Sequence, residues 1–486
     1  MTKKTITELI KIWDEKYRSA YDSVSSRFLF LKNFFFGFNI NVDAIREVDA
    51  SLLKLLEKNT KINKIERKRL REKKIKNLDD LLIGLTYCME HGIGEEWKIV
   101  DENVYHWINK NVQYDLLSIG GQAGIMANTA SVLGIKNILI NAPVMTKTLA
   151  SLLFKEIFVA RSSGGGIKLF SPYIIATEKE ELIHWIFEFK KGFSAAIHGK
   201  TFIVPNSTRF IATYDPINSM LTIDKHLKEY LVIHAKDFHG GIIAGHHLID
   251  SSLGKKFIDE RMNETINFIK AIKEANRNLL IKYELGITAD DYIISQIKQS
   301  ILPHVDIISL NENEFYIYFF GTKESTNISI EERCKKLLTG FLKILSNINV
   351  SIHLHTFDTT FFITPPVTNN RDMKIEKFLN ATLFGSLVTS VRAILGKEPS
   401  LMEIRNMLEN KNAFYYQERA FKTMNYLDKL IREKHSATDG NLLEDGFIET
   451  DNFSLIAIPI KFVENPLKTV GLGDTCSVSQ FLALFT

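Results

Sequence analysis

Near its C-terminus the chain reads Lys468-Thr469-Val470-Gly471-Leu472-Gly473-Asp474, after which Val478, Phe481, Leu482 and Phe485 recur at helical spacing. Two glycines let the backbone turn tightly and let a ligand approach it closely. The first N–H groups of the helix have no intrahelical partner and point outward beside the positive end of the helix dipole, which makes an anion site. Asp474 is the odd residue, because a carboxylate repels an anion. It has two readings: an N-cap, which is a common use of Asp, or a general base aimed at a group about to attack the bound anion.

Other groups could share that chemistry. Phe34 to Phe38 read as a buried strand, after which Asn39, Asn41 and Asp43 alternate with Ile40, Val42 and Ala44. Period two puts the three polar groups on one face. That face contacts a polar ligand or runs out into solvent. Glu284 follows the apolar run "NLLIKY", and Glu314 closes Asn311-Glu312-Asn313-Glu314 after "VDIISL". Carboxylates at strand ends suit a hydrated Mg2+, which keeps several waters and takes few protein ligands. Acids in the first turn of a helix are the other reading.

These groups need a frame. "YDLLSIGGQAGIMANTASVLGIKNILINAPV" predicts a strand ending at Gly120-Gly121 and a helix with Met126, Ala130 and Leu133 on one face. Gly134 follows as a C-cap, and "KNILINAPV" is a second strand. This is read as a βαβ unit with its glycine loop at a strand's carboxyl end, where ligands bind in open α/β sheets. It is not a Walker loop, since no Gly-Lys-Ser/Thr follows. The first 25 residues predict a helix, with Ile6, Ile10, Trp13 and Tyr17 in phase. From about 165 to 225 short segments ("KLFSPYIIAT", "IHWIFEFKKG", "KTFIVPN", "TRFIATYD", "SMLTID") predict an antiparallel layer. Beyond 225 the strands "YLVIHA", "NLLIKYEL", "VDIISLNENE" and "VSIHLHTF" alternate with helices. The expected architecture is α/β, a doubly wound sheet domain with an inserted β-rich lid.

Composition narrows the class. The 486 residues are 45% hydrophobic and 24% charged, which suits a large globular core. The balance of 61 basic to 57 acidic residues decides nothing about nucleic acid. The basic run at 61–76 lacks an aromatic platform and reads as a solvated helical face, so no nucleic-acid partner is expected. No run of about 18 uninterrupted apolar residues predicts a membrane span. The N-terminus has no apolar core of signal-peptide type. Three widely spaced cysteines suggest a reducing compartment and a cytoplasmic location.

The blocks "NINVDAI", "GGQAGIMAN", "FEFKKG", "STRFI", "LNENE", "IHLHT" and "KTVGLGDT" occur in this order between about residues 37 and 480. In them the chain resembles the ADP-dependent sugar kinases, the glucokinase and phosphofructokinase group of ribokinase-like fold. The resemblance implies a large nucleotide-binding domain of residues 1–43, 119–160 and 219–486, and a lid of 44–118 and 161–218. It implies that Asp474 is the catalytic base and that the N–H groups of Gly471 to Asp474, with Gly473 between them, hold the charge of the phosphoryl group in flight. Asn41, Asp43, Gly121 and Gln122 become sugar ligands. Arg209 becomes the lid arginine that reaches the ADP phosphates. Glu284, Asn311 and Glu314, with Asp474, position a hydrated Mg2+. His355, Thr356 and Val470 fall in the nucleotide region. The partners implied are a small-molecule sugar and ADP, for a monomer or small homo-oligomer.

The resemblance also bears on the acceptor. Glu96 and His184 stand where glucokinases carry a glutamate and a sugar-contacting histidine, and Asp215 would repel a sugar phosphate. These three favour glucose, whereas Lys190 and Lys191 argue mildly for a phosphorylated sugar. A phosphofructokinase, a bifunctional enzyme and a non-catalytic binding paralogue are the alternatives. Two departures from the group are expected. Lys282 replaces a histidine two residues before Glu284, where it would compete with the metal or contact a phosphate. His234-Ala235 takes the place of a Ser-Gly strand end. His246-His247 reads as a surface pair.

Overall fold

Phe34 and Phe35 are neighbours on one strand, so their side chains point to opposite faces. Phe34 meets the Phe481 ring edge-on at 6.3 Å, and Phe35 meets Phe268 at 5.9 Å. Phe481 lies on the helix Leu472–Ala483 and Phe268 on the helix Lys255–Ala275. The strand Lys32–Gly37 is therefore sandwiched between helices on both faces of its sheet. This is why "FFF" reads as an unbroken apolar run: strands covered on both faces do not alternate.

The computed structural model describes residues 4–61, 73–179, 181, 183–288, 290–322, 328–366, 375–410 and 412–486. The expected basic helical face at 61–76 lies largely outside them. Twelve strands form the large sheet. Its centre is parallel, in the order Ser351–His355, Ile307–Asn311, Leu280–Glu284, Gly240–Ile243, Lys32–Gly37, Lys136–Ile140 and Ile157–Ser163. Antiparallel strands extend both ends. Register sets Glu284 opposite Ser309 and Asn311 opposite His355, so Glu284, Asn311 and His355 end three adjacent parallel strands. The helix Ile375–Leu395 is long and apolar enough to cross a membrane, but it is mostly buried within the core.

A second sheet of six strands orders as Lys74–Ile75, Glu95–Ile99, Thr208–Thr213, Ile183–Phe189, Asn41–Glu47 and Leu116–Gly120. It is mixed rather than antiparallel. One face is apolar: Trp97, Trp185, Phe187 and Phe210 pack under the helices Ala50–Lys58, Leu78–His91 and Glu102–Asn111. Directly paired residues share the other face. There Asp43 lies opposite His184, His184 opposite Thr213, Arg209 opposite Glu188, and Glu96 opposite Ile211. Together the two sheets make an α/β architecture with a smaller β-rich part.

Several expected elements differ. The strands on either side of the helix Gln122–Val132 belong to different sheets, so the glycine loop is a crossing between domains and not the turn of a βαβ unit. The strand Gly166–Phe170 pairs with Ile157–Ser163 in the large sheet, while Asn41–Glu47 and Leu116–Gly120 belong to the small one. The domain bounds expected at 43, 119 and 161 therefore shift. "YLVIHA" falls in the helix Lys225–Ile233, capped by Asp224. The strand is the glycine-led Gly240–Ile243, so its end is Ala244-Gly245 and not His234-Ala235. "SMLTID" carries only a short 3-10 turn, and "RFLF" ends the first helix, Ile6–Phe28.

His246 is fully buried, with Nε2 2.9 Å from Thr265 Oγ1, and is no surface residue. Burial pushes its imidazole down to about 3, against 6.5 when free. The unfolded chain thus binds a proton that the fold refuses, and the stability this gives is complete above pH 6.5 and lost as pH falls toward 3. The acid-side decline in stability between pH 6.5 and 4, followed by urea melts, should be shallower in His246→Gln than in the wild type. Parallel profiles would refute the assignment.

Candidate active site

The helix Leu472–Ala483 starts with Gly471 at φ 73°, and no side chain caps it. A left-handed residue there needs glycine, and the first-turn N–H groups are left for a ligand. Asp474 is the third helical residue, so the N-cap reading is overturned. Beneath the mouth lies Arg392, toward the end of the mostly buried helix Ile375–Leu395. It is fully buried, donates to Thr475 Oγ1 at 2.7 Å and pairs with Glu398 at 3.1 Å. A Cβ on Gly471 would come 3.2 Å from its Nη2. Sequence reasoning missed Arg392, although a charge this deep in the apolar stretch from Phe378 to Leu395 is a readable signal.

Asp474 sits among other acids. Burial, and then the charge of Glu284, push its carboxyl up to about 7, while Arg392 opposes this. Burial and Glu284 likewise raise Glu314 far above the carboxylate range. Glu314 and Asn311 form a capping box, with Asn311 N donating to Glu314 Oε2 at 2.8 Å, so the first-turn reading of Glu314 is correct as to geometry. Glu284 Oε2 is buried with no partner. Among the described residues no three acidic, histidine or cysteine side chains form a direct metal cage. Crowded acids with an orphaned oxygen fit a divalent cation held partly through water.

His355 stands at the mouth: its Nε2 is 3.6 Å from Glu284, and a Cβ on Gly473 would fall 3.0 Å from its ring. The Thr356 hydroxyl is committed elsewhere, donating to Thr359 O at 2.7 Å and accepting from Arg333 at 3.0 Å. Arg333 is buried between Glu312 and Asp358. Lys282 does not reach toward a phosphate. It is fully buried and donates to Ser477 O and Gln480 Oε1, both at 2.9 Å, within the body of the mouth helix. Burial lowers its ammonium to about 7, against the pull of Glu284.

The small sheet's polar face supplies the rest. Arg209 reaches from it to Thr469 Oγ1, 3.3 Å away beside Val470, with its Nε buried and unpaired. Asn41 Nδ2 donates to Asp43 Oδ1 at 2.7 Å, and both residues are buried, so this strand does not run into solvent. A Cβ on Gly120 would land 2.1 Å from that same Oδ1, and Gly121 at φ 73° lies against Asn39 O. Gln122 donates to Leu285 O at 3.0 Å and leaves its own Oε1 unpaired. Glu96 accepts from Thr213 Oγ1 at 2.6 Å. Asp215 is bonded to His184 at 2.8 Å, which removes it as a free charge repelling phosphates. Lys190 is exposed and pairs with Glu47. The site also includes His247, against which Gly286 packs so closely that a Cβ would lie 2.3 Å from the ring.

Residues 32–483 match the ADP-specific phosphofructokinase/glucokinase conserved region. The chain belongs to this family. It is 27% identical over 484 residues to an ADP-dependent glucose/glucosamine kinase of Pyrococcus abyssi, covering 98% of this chain and 99% of that protein. It is 26% identical over 470 residues to an ADP-specific phosphofructokinase of the same organism, covering 92% and 96%. Its fold is similar to that of an ADP-dependent kinase solved with fructose-6-phosphate and ADPβS, with a TM-score of 0.80, 24% identity and 97% of each chain covered. Both acceptor names occur among the family's members, so the acceptor rests on this chain's own residues.

The Gly120 contact gives a direct check on the sugar-ligand roles expected of Asn41 and Asp43. Gly120→Ala should push Asp43 and Asn41 aside and weaken sugar binding by about tenfold or more, roughly the loss of one good charged hydrogen bond. ADP binding should be unchanged. Calorimetric titration of each ligand separates the two, and an unaltered sugar affinity would rule out the contact.

Proposed function

We propose that the protein transfers the β-phosphoryl group of ADP to the 6-hydroxyl of glucose, giving glucose 6-phosphate and AMP. The observation that carries this reading is the meeting of Arg209, from the small sheet, with Thr469 at the uncapped helix mouth. An anion site, a cation above it and a high-pKa carboxylate beside it are the parts phosphoryl transfer uses. The sugar O6 attacks the β-phosphorus as Asp474 takes its proton. The bond from the β-phosphorus to the bridging oxygen breaks, and AMP leaves with that electron pair. The N–H groups of Leu472 to Asp474 and the Arg209 guanidinium take up the charge gathering on the phosphoryl oxygens. Mg2+, held through water by Glu284, Glu314 and Asn311, would neutralise the charge of the ADP phosphates.

Glucose is favoured by the acidic lining of the acceptor end. Asp43 and Glu96 stand on the same sheet face as His184. Two carboxylates accept hydrogen bonds from neutral hydroxyls and oppose a second phosphate. Of the two lysines that spoke for a phosphorylated sugar, Lys190 is engaged with Glu47 in solvent and Lys191 is exposed.

The test is AMP formation by purified protein with Mg2+ and ADP, offered glucose and fructose 6-phosphate in parallel, with ATP as the other donor. AMP from glucose alone is expected, and AMP from fructose 6-phosphate alone would overturn the acceptor assignment. Asp474→Asn should lower kcat by roughly 10²- to 10⁴-fold, the usual share of a general base, with ADP affinity little changed. Near-normal turnover would remove Asp474 from the chemistry. Glu96→Ala should raise the glucose KM far more than that for fructose 6-phosphate, and equal changes in the two would sink the specificity argument.

A further inference from the structure

We propose that Asp215 is a positioning residue of the acceptor site, holding the His184 imidazole in one orientation and, through Asn218, tying it to the backbone that carries Asn41 and Asp43. The proposal rests on the reading above, in which His184 contacts the acceptor.

Asp215 is buried at the point where the chain leaves the small sheet after Thr213. Its two oxygens are taken up by protein. Oδ2 lies 2.8 Å from His184 Nε2 and 2.6 Å from Asn218 Nδ2, and Oδ1 accepts from Asn218 N at 2.7 Å. Asn218 in turn holds Ile40 on both sides of its backbone: Oδ1 accepts from Ile40 N at 3.3 Å, and Nδ2 donates to Ile40 O at 3.1 Å. Ile40 lies between Gly37 of the large sheet and Asn41 of the small one. Two of the crossings between the sheets are thus joined by one buried cluster, and His184 is its outlet toward the cleft.

The chemical consequence falls on the imidazole. A carboxylate at Nε2 keeps a proton on that nitrogen and fixes the ring plane, so Nδ1 is the nitrogen offered to a ligand. Asp43, Glu96 and His247 bear on His184 from the surrounding elements. Without Asp215 the ring is free to turn Nε2 toward those carboxylates. Without Asn218 the Ile40 peptide loses both of its side-chain tethers, one residue before the first sugar ligand. A merely structural pair would affect folding and both substrates alike. A positioning pair affects the acceptor, and only while His184 is present.

A double-mutant cycle separates these cases. Wild type, Asp215→Asn, His184→Ala and the double variant are compared in acceptor KM, ADP KM, kcat and sugar dissociation constant. Asp215→Asn should raise acceptor KM and dissociation constant about tenfold, with kcat and ADP KM within about twofold. In the His184→Ala background the same change should add less than about twofold. Additive losses, or equal losses for ADP, would overturn the proposal. If Asp215→Asn does not fold, Asn218→Ser takes its place in the cycle with the same expectation, and an unchanged acceptor KM there would overturn it. If wild type forms no AMP with either sugar, the proposed function fails. The cycle is then read on sugar dissociation constants alone, and a wild type that binds neither sugar overturns the positioning role as well.

Discussion

Asp474, Glu284 and Glu314 are crowded around a helix end that no side chain caps, and that crowding is what the rest of the site answers to. The cluster tolerates its own repulsion because burial lets two of the carboxyls keep their protons. Buried cations surround it: Arg392 under the first turn, Lys282 deeper in the same helix, and Arg209 above. Lys282 is the informative one. It donates to a carbonyl and an amide oxygen of the mouth helix itself, so its charge offsets the acids while its hydrogen bonds hold the helix against the strand Leu280–Glu284. Lys282 is thereby a part of the scaffold. A cation bound among these carboxyls would favour their ionised forms.

The second constraint is the pleat of the small sheet. One face is a tryptophan- and phenylalanine-rich core beneath three helices, and this fixes which residues point the other way. Asp43, His184, Glu96 and Arg209 come from four strands separated by long stretches of chain, yet register alone collects them on one surface. A slip of one residue in Glu95–Ile99, Ile183–Phe189 or Thr208–Thr213 would bury a charge under the helices and expose an aromatic ring. The catalytic face is therefore protected by the same packing that stabilises the domain. At the crossings the chain uses glycine and asparagine, where Gly120 and Gly121 allow close approach and Asn218 bridges to Ile40.

Much of this was legible in local pattern. The Gly471-Leu472-Gly473-Asp474 mouth, the polar alternation from Asn39 to Asp43 and the strand-end acids Glu284 and Glu314 stand out by spacing, and the ordered family blocks give them their expected roles. The misreadings have specific causes. "YLVIHA" is β-branched and apolar enough for a strand, but Asp224 caps it as a helix, and the sheet instead takes the glycine-led "GGII". Gly240 and Gly241 have low strand propensity, yet they are required there because any Cβ would strike Leu280 O or the Phe35 ring. His246 and His247 are adjacent, which suggested solvent, but they sit at a strand end inside the cleft region, where burial follows topology rather than composition. Asp215 read as a repelling charge because its partner His184 is thirty-one residues away.

The sequence by itself determined the α/β frame, the family blocks and the local features of the site, namely the glycine-led helix mouth at Gly471 to Asp474, the polar alternation from Asn39 to Asp43 and the strand-end acids Glu284 and Glu314. The tertiary structure decided what each charge does. It showed that Asp474 is not a cap, that Lys282 and Arg392 are buried countercharges, that Asp215 belongs to His184, and that the glycine loop joins two sheets. The physical reason is range. Turns, caps and amphipathic periodicity are set by neighbours along the chain, whereas the fate of a charge depends on what burial brings within a few ångströms of it, and here those partners are tens to hundreds of residues apart.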